Sequence, residues 1–165
     1  MLGSVSDLFY DYLRDIYYAE KAIMKSLPKL ERAATNPDLK AAFARHRDET
    51  EGQVERLQKI FELLGKPARA KTCEAINGIT EEANELLEDS QPGPVRDAGL
   101  VAAAQAVEHY EIGRYGAMIA WAKAQQRQEI VQLLEQTLAE EKNTDALLNK
   151  LANGKINQEA LKVAA

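Results

Sequence analysis

Two acidic residues stand on one face of a helical segment that is otherwise mainly apolar on that face. The residues of the face recur in steps of three and four, as expected for a helix: Val101, Ala104, Glu108, Glu111, Tyr115, Met118 and Ala122. Removing an unpaired carboxylate from water costs several kcal/mol, so a buried helix face rarely holds two of them. The face around Glu108 and Glu111 is therefore either open to water or opposed by a cation.

The composition predicts one all-α domain. A chain of 165 residues, of which 45% are hydrophobic, is long enough to bury a single core. Residues that favour helix dominate, whereas only 9 glycines and 5 prolines occur. We therefore predict a single all-α domain over residues 1–165.

Capping and chain-breaking residues divide the chain into five predicted helices. These helices cover approximately residues 5–34, 37–64, 72–88, 95–124 and 128–152. The residues that can start the first three are Ser4 or Ser6, then Asn36 with Pro37, then Thr72. Asn153-Gly154 is expected to end the fifth helix, and the residues from 157 to 165 either form a short final helix or fray.

The connection over residues 65–94 is too long for a tight turn between neighbouring helices. Its only regular element is the short third helix. A long middle connection of this kind is typical of a crossover that joins two helical hairpins. The predicted fold is a ferritin-like four-helix bundle whose long crossover carries a short extra helix.

The heights of the core acids along the bundle coincide. Glu20 lies about fifteen residues before the turn of the first hairpin, and Glu49 lies about fourteen residues after it. Because a helix rises about 1.5 Å per residue, the two acids are expected at nearly the same height along the bundle. Glu111 and Glu141 lie at similar distances from the turn of the second hairpin. All four long helices are therefore predicted to carry an acid on the core face at mid-height, and the second hairpin repeats the first.

Two further acids, Glu108 and Asp145, are predicted to lie at the same level. Lysine and arginine are absent from these four core faces, so the acids cannot all ionise without an external cation. Oxygen-rich sites with little imidazole suit iron or manganese, and we predict two such divalent ions. The predicted metal ligands are Glu20, Glu49, Glu108, Glu111, Glu141 and Asp145.

Three other side chains on the predicted core faces are either ligands or groups that orient ligands. These are His46, Gln53 and Tyr17, and for Tyr17 the alternative is an ordinary tyrosine of the apolar core. Dinuclear bundle sites commonly use Glu-x-x-His pairs, but Gly52 follows Glu49 and Thr144 follows Glu141 at that spacing. The scarcity of imidazole keeps a second hypothesis open, in which the site is empty or holds a redox-inert ion.

Five segments resemble the YciE/YciF family of bacterial ferritin-like stress proteins. The segments are Asp15-Ile16-Tyr17-Tyr18-Ala19-Glu20-Lys21, His46-Arg47-Asp48-Glu49-Thr50 with Gln53, Cys73-Glu74-Ala75-Ile76-Asn77-Gly78-Ile79, Val107-Glu108-His109-Tyr110-Glu111 and Glu140-Glu141-Lys142-Asn143-Thr144-Asp145. The resemblance implies a ferritin-like bundle, a dinuclear metal centre, a homodimer, a cytoplasmic location and a link to the stress response. It implies no known reaction. Glu51 stands where a relative can carry histidine, so no nitrogen ligand is expected from that turn.

Charge and cysteine content narrow the remaining functions. A formal charge of −5 argues against nucleic acid as the main partner, because phosphate binding needs a basic face. A single cysteine fits a reducing compartment, and the sequence shows neither a signal peptide nor a membrane-spanning segment. We therefore expect a cytoplasmic protein. For the predicted dinuclear centre we expect oxidation of Fe(II) or removal of peroxide. The alternative is a non-enzymatic dimeric protein with a structural or interaction role.

Overall fold

The computed structural model describes residues 2–163, and five long helices account for most of them. The helices are α1 (Val5–Ala33), α2 (Pro37–Leu63), α3 (Glu74–Asp89), α4 (Pro94–Ala124) and α5 (Gln128–Leu151). No β-strand occurs within residues 2–163. The predicted all-α class is confirmed, and each predicted helix end lies within two residues of the observed one.

Side-chain caps explain where the first helices begin. Ser4 Oγ accepts a hydrogen bond from the backbone N–H of Asp7 at 3.0 Å. Asn36 Oδ1 accepts from the N–H of Leu39 at 3.1 Å, and Pro37 occupies the first helical position. Both caps were among those expected from the sequence.

The predicted cap of α3 was wrong. Cys73, not Thr72, precedes the helix, and its Sγ lies 3.4 Å from the backbone N–H of Ile76. Cys73 is buried whereas Thr72 is exposed, so packing brings the thiol to the helix end in place of the better hydroxyl cap.

The fifth helix ends at Leu151, close to the predicted end, and the short final helix, one of the two predicted alternatives, is present, but Asn153-Gly154 does not interrupt the chain as expected. A π-helical turn, Ala152–Ile156, continues α5 directly into a last short helix, α6 (Asn157–Ala160). Both the π-helical turn and α6 contact α4. Ile156 is buried in this contact, which gives the chain an apolar reason to continue beyond Gly154. The final residues 164–165 of the predicted terminal segment lie outside the described residues.

The four long helices form two hairpins that pack into one bundle. α1 pairs with α2 and α4 with α5, while α1–α4 and α2–α5 contacts join the two hairpins. α3 lies against α1 and α4, so the crossover covers that side of the bundle. The predicted four-helix bundle with a helical crossover is therefore confirmed. None of the helices described between residues 2 and 163 is long and apolar enough to cross a membrane.

A buried carboxylate at one end of the bundle fixes the α1–α2 turn. Asp97, in the first turn of α4, is only 3% exposed. It accepts hydrogen bonds from the backbone N–H groups of Thr35 and Asn36 at 2.7 and 2.8 Å, and from the Thr35 hydroxyl. Its charge also lies at the N-terminal end of a helix, where the helix dipole favours an anion. This acid is therefore well compensated for its burial.

Candidate metal centre

Four buried side chains from three helices converge in the middle of the bundle. His46 from α2, Glu108 and Glu111 from α4, and Glu141 from α5 each offer a ligand atom, and these atoms all lie within 4.8 Å of one another. We call these four residues the carboxylate cluster. Each of them is less than 5% exposed. Three of the six predicted acids and the predicted histidine are thus brought together.

Glu20 reaches the carboxylate cluster from α1. Its side chain is fully buried and lies beside Glu111. Glu20 Oε1 accepts a hydrogen bond from the hydroxyl of Tyr115, which is also fully buried. Tyr115 lies on the same face of α4 as the two acids that opened the sequence argument, and its hydroxyl orients Glu20.

Glu49, predicted from α2, lies at the edge of the site. Its side chain is 20% exposed. Its two oxygens contact Arg45 Nε at 2.9 Å and the hydroxyl of Thr144 at 3.3 Å. Glu49 therefore faces partly outward, and its role as a ligand stays a prediction.

Asp145 occupies a similar edge position on α5. Its side chain is 20% exposed, and its Oδ1 lies 3.1 Å from both Gln105 Nε2 and His109 Nε2. These contacts direct Asp145 toward the outer face of α4. A ligand role for Asp145 also stays a prediction.

The two remaining candidates have different surroundings. The Gln53 amide nitrogen donates to Glu141 Oε1 and, at 3.2 Å, to Glu140 Oε2, so this buried residue orients a member of the carboxylate cluster. The Tyr17 hydroxyl instead accepts from Gln58 Nε2 at 3.2 Å. Tyr17 also packs its ring edge against Phe61 with centroids 5.4 Å apart, as in an aromatic core pair.

An ion pair beside the site was missed by the sequence argument. The guanidinium of Arg56 contacts Glu140 Oε2 and donates to Thr137 Oγ1 at 2.9 Å. Arg56 lies three residues after Gln53 and therefore near the same helix face, which was the available signal. Because its guanidinium is engaged by Glu140, Arg56 does not neutralise the carboxylate cluster by direct contact.

Comparison with known proteins assigns the chain to a family. A domain of unknown function, DUF892, matches residues 4–161. Protein YciF of Escherichia coli strain K12 is 43% identical over 161 residues, which is 96% of both chains. This chain is a member of the YciE/YciF family. The family resemblance carried by the five sequence segments is therefore confirmed.

Solved structures support the same assignment. The crystal structure of the E. coli stress protein YciF matches with a TM-score of 0.90 at 41% identity, over 95% of this chain and 99% of that one. YcfI from Rhodopseudomonas palustris, described as a candidate structural protein, matches with a TM-score of 0.87 at 46% identity, over 90% and 94%. A protein from Xanthomonas campestris shares the fold at 22% identity, with a TM-score of 0.78 over 96% and 97%. The fold is thus the ferritin-like one expected from the sequence.

Burial makes the glutamates of the site harder to ionise. Desolvation, with the nearby charge of Glu141, raises the pKa of Glu20 to about 8. Desolvation, together with the hydrogen bond to Glu141 and the charge of that neighbour, raises the pKa of Glu108 to about 11. Burial and neighbouring carboxylates hold the pKa of Glu111 well above its usual range, and burial raises the pKa of Glu141. Without a cation, Glu20 and Glu108 therefore keep protons at neutral pH.

Burial acts on His46 in the opposite direction. Desolvation lowers the pKa of His46 to about 4, so the imidazole is neutral at pH 7. Its Nε2 lies 3.2 Å from Glu108 Oε1 but is not aligned for a hydrogen bond within the described structure. A neutral imidazole with a free nitrogen lone pair is the form that binds a metal ion.

Several buried polar atoms of the site lack a hydrogen-bond partner among residues 2–163. They are Glu20 Oε2, both ring nitrogens of His46, Gln53 Oε1, Glu108 Oε2, both carboxylate oxygens of Glu111, and Glu141 Oε2. Buried polar groups normally have partners, because leaving one unsatisfied costs about 1–3 kcal/mol. One imidazole with several carboxylates is a donor set that suits iron or manganese. The residues present therefore fit the predicted metal ions.

Proposed function

We propose that this chain binds two divalent ions, iron or manganese, in the core of the bundle. The unpartnered oxygens and imidazole nitrogens of the carboxylate cluster carry the proposal, because a cation would satisfy them together. His46, Glu108, Glu111 and Glu141 are compact enough to hold one ion. The second ion would draw on Glu20, whose Oε2 lacks a partner in the described structure, and on Glu49 after a change of its side-chain conformation.

We further propose that the centre is a redox site that oxidises Fe(II) with dioxygen or hydrogen peroxide. When bound, each Fe(II) supplies one electron, so that a pair reduces dioxygen and two protons to hydrogen peroxide, or hydrogen peroxide and two protons to water. The chain's own contribution is to exclude bulk water, to give up carboxyl protons as cations bind, and to hold the carboxylates. Tyr115 fixes Glu20 and Gln53 fixes Glu141 for this purpose.

The biological role is proposed from the relatives. The E. coli relative is described as a stress protein. Removal of Fe(II) or peroxide would suit such a role, because the two together generate damaging oxidants. A cytoplasmic location and a homodimeric state are proposed on the family resemblance alone.

Metal analysis and calorimetry test the binding step. Protein purified without chelator is expected to contain iron or manganese at up to two ions per chain. Metal-free protein titrated with Fe(II) under anaerobic conditions should bind it and release protons. Glu141→Gln should abolish most of this binding, whereas Glu135→Gln, an exposed acid on the same helix, should leave it unchanged.

A second candidate function is supported by the small number of nitrogen donors. His46 is the one histidine in the carboxylate cluster of the described chain, and the chain lacks the Glu-x-x-His pairs of ordinary dinuclear bundles. In that case the protein is a dimeric structural or interaction protein with an empty or redox-inert site. Substoichiometric metal together with no oxygen uptake after anaerobic Fe(II) loading would favour this function over the first.

A further inference from the structure

A cavity of about 30 Å³ lies beside the carboxylate cluster. Two buried members of the carboxylate cluster, His46 and Glu108, line its inner end. Lys29, which is exposed, and Asn84, which is half-buried, line its outer end and are hydrogen-bonded to each other. The cavity therefore extends from the surface between α1 and α3 to the predicted metal ligands.

The wall of this cavity is mainly apolar. Ile23, Leu27 and Ala83 are among its lining residues. The two hydroxyl groups on the wall are already used, because Ser26 donates to the Ala22 carbonyl at 3.0 Å and Thr80 to a carbonyl of its own helix. Between its two ends, the cavity therefore offers little to a charged or strongly hydrated molecule.

The size of the cavity selects a small guest. A water-sized molecule needs about 10–15 Å³, so a volume of about 30 Å³ admits a diatomic molecule but not an organic substrate. Apolar cavities in proteins stay dry and take up apolar guests such as xenon. A metal cation would lose its hydration shell there, and hydrogen peroxide would lose its hydrogen bonds.

We propose that this cavity binds dioxygen and leads it to the side of the centre formed by His46 and Glu108. The proposal rests on the proposed redox function and names dioxygen as the oxidant that this route serves. α3 gives the crossover a specific part in it, because Ile79, Thr80, Ala83 and Asn84 of this helix line the cavity. The predicted metal ligands all come from the other long helices. The crossover therefore closes the route without taking part in the metal site.

Xenon tests the cavity independently of any reaction. Crystals of metal-free wild-type protein under xenon pressure should show a xenon atom between Ala83 and His46. Ala83→Leu, which fills the space, should remove that atom, whereas Ala75→Leu on the exposed side of the same helix should keep it. Absence of xenon from the wild-type cavity would overturn the proposal.

Oxidation kinetics test the route. Protein loaded with Fe(II) under anaerobic conditions is mixed with buffers of increasing dioxygen concentration, and the second-order rate constant is measured. Ala83→Leu should slow the reaction about tenfold, because the added methylene groups must be displaced for dioxygen to pass, as in an overpacked core. Ala75→Leu should react at the wild-type rate, and Fe(II) affinity should be unchanged in both variants.

Ala83→Val is the smaller alternative if the leucine variant does not fold, and it should slow the reaction less. Equal rates for the folded Ala83 variant and the wild type, with xenon displaced from the former, would reject the route while leaving the redox function intact. A wild-type protein that takes up xenon but does not oxidise Fe(II) would instead reject the redox function, and with it the dioxygen route.

Discussion

Two groups of buried carboxylates in this molecule differ in how they are compensated. Asp97, at one end of the bundle, accepts three hydrogen bonds from the α1–α2 turn. Glu111, at mid-height, accepts no hydrogen bond from an N–H or hydroxyl group within residues 2–163, and its polar neighbours are other carboxyl groups. Both side chains are nearly inaccessible to solvent. The difference indicates that Asp97 is placed for stability, whereas the surroundings of Glu111 agree with the proposed metal binding.

The physical basis of the contrast is the cost of burial. A carboxylate that accepts several N–H or O–H groups recovers much of its lost hydration, so the folded state keeps it without a proton or a cation. An acid without donors must instead be protonated or bind a cation. Substitution of Asp97 should therefore mainly lower the stability of the fold, whereas substitution of an acid at mid-height should mainly weaken metal binding.

The largest effect is expected from Asp97→Ala. Loss of this acid leaves two backbone N–H groups of the turn without their acceptors, so the free energy of unfolding should fall by about 3 kcal/mol. Chemical denaturation monitored by circular dichroism measures this change. Asp38→Ala removes an exposed first-turn acid from α2 and should cost less than about 1 kcal/mol. A similar loss of unfolding free energy in the two variants would show that the hydrogen bonds to Asp97 do not compensate for its burial.

The next effect compares how much metal affinity depends on Glu141, from the second hairpin, and on Glu49, from the first. Glu141→Gln should weaken Fe(II) or Mn(II) binding by at least about 100-fold, or about 2.7 kcal/mol, because it removes a charged buried ligand. Glu49→Gln should weaken binding less, since Glu49 is partly exposed and held by Arg45. Isothermal titration calorimetry under anaerobic conditions gives both affinities. A larger effect at Glu49 would mean that the edge acid, and not the buried one, dominates the site.

A smaller effect is expected from pH on the metal-free protein. The pKa of Glu20 is about 8 in the folded chain, above the ordinary value of 4.5, so folding retains a proton that the unfolded chain has lost. This contribution to stability is full below pH 4.5 and is lost as pH rises to about 8.

The contribution of His46 to stability changes with pH in the opposite direction. Its pKa falls from 6.5 to about 4 on folding, so its contribution is full above pH 6.5 and is lost as pH falls toward 4. Stability measured between pH 6.5 and 8 therefore reports mainly the acids, and it should decrease as pH rises. Glu20→Gln should make that slope shallower without abolishing it, because Glu108 also retains a proton in this range, and saturating metal should reduce the slope further. A slope that Glu20→Gln leaves unchanged would show that Glu20 is ionised across this range.

Local sequence signals were enough to predict the fold but not the rotation of each helix. Apolar periodicity and chain breakers located the helices to within two residues, and the height argument correctly brought Glu20, Glu111 and Glu141 together. Height does not determine which residue of a turn points inward. His46 and Glu49 are three residues apart on α2, and a modest rotation buries the first while leaving the second at the edge.

Long-range partners were also beyond the sequence argument. Asp97 was recognisable only as a residue in the first turn of a helix, since its donors lie 61 and 62 residues earlier in the chain. The cavity beside His46 depends on how α3 lies across α1 and α4, and no periodicity in the sequence encodes that placement. Both features arise from packing between elements, which a residue pattern within one element does not determine.

The smallest effect is expected from Gln53→Leu, which tests how the carboxylate cluster is oriented. The substitution keeps most of the side-chain volume but removes the amide that donates to Glu141, so metal affinity should fall by about tenfold, at the low end for such supporting groups. Gln58→Leu is the matched control, because this amide on the same helix donates to Tyr17. Calorimetry should show wild-type affinity for the control. An equal loss of metal affinity in the two variants would mean that both amides of α2 affect binding only by stabilising the fold. A loss of affinity confined to Gln53→Leu would instead extend the contrast with Asp97. In the cluster, the few donors present would then serve to aim a carboxylate at a cation and not to compensate its burial.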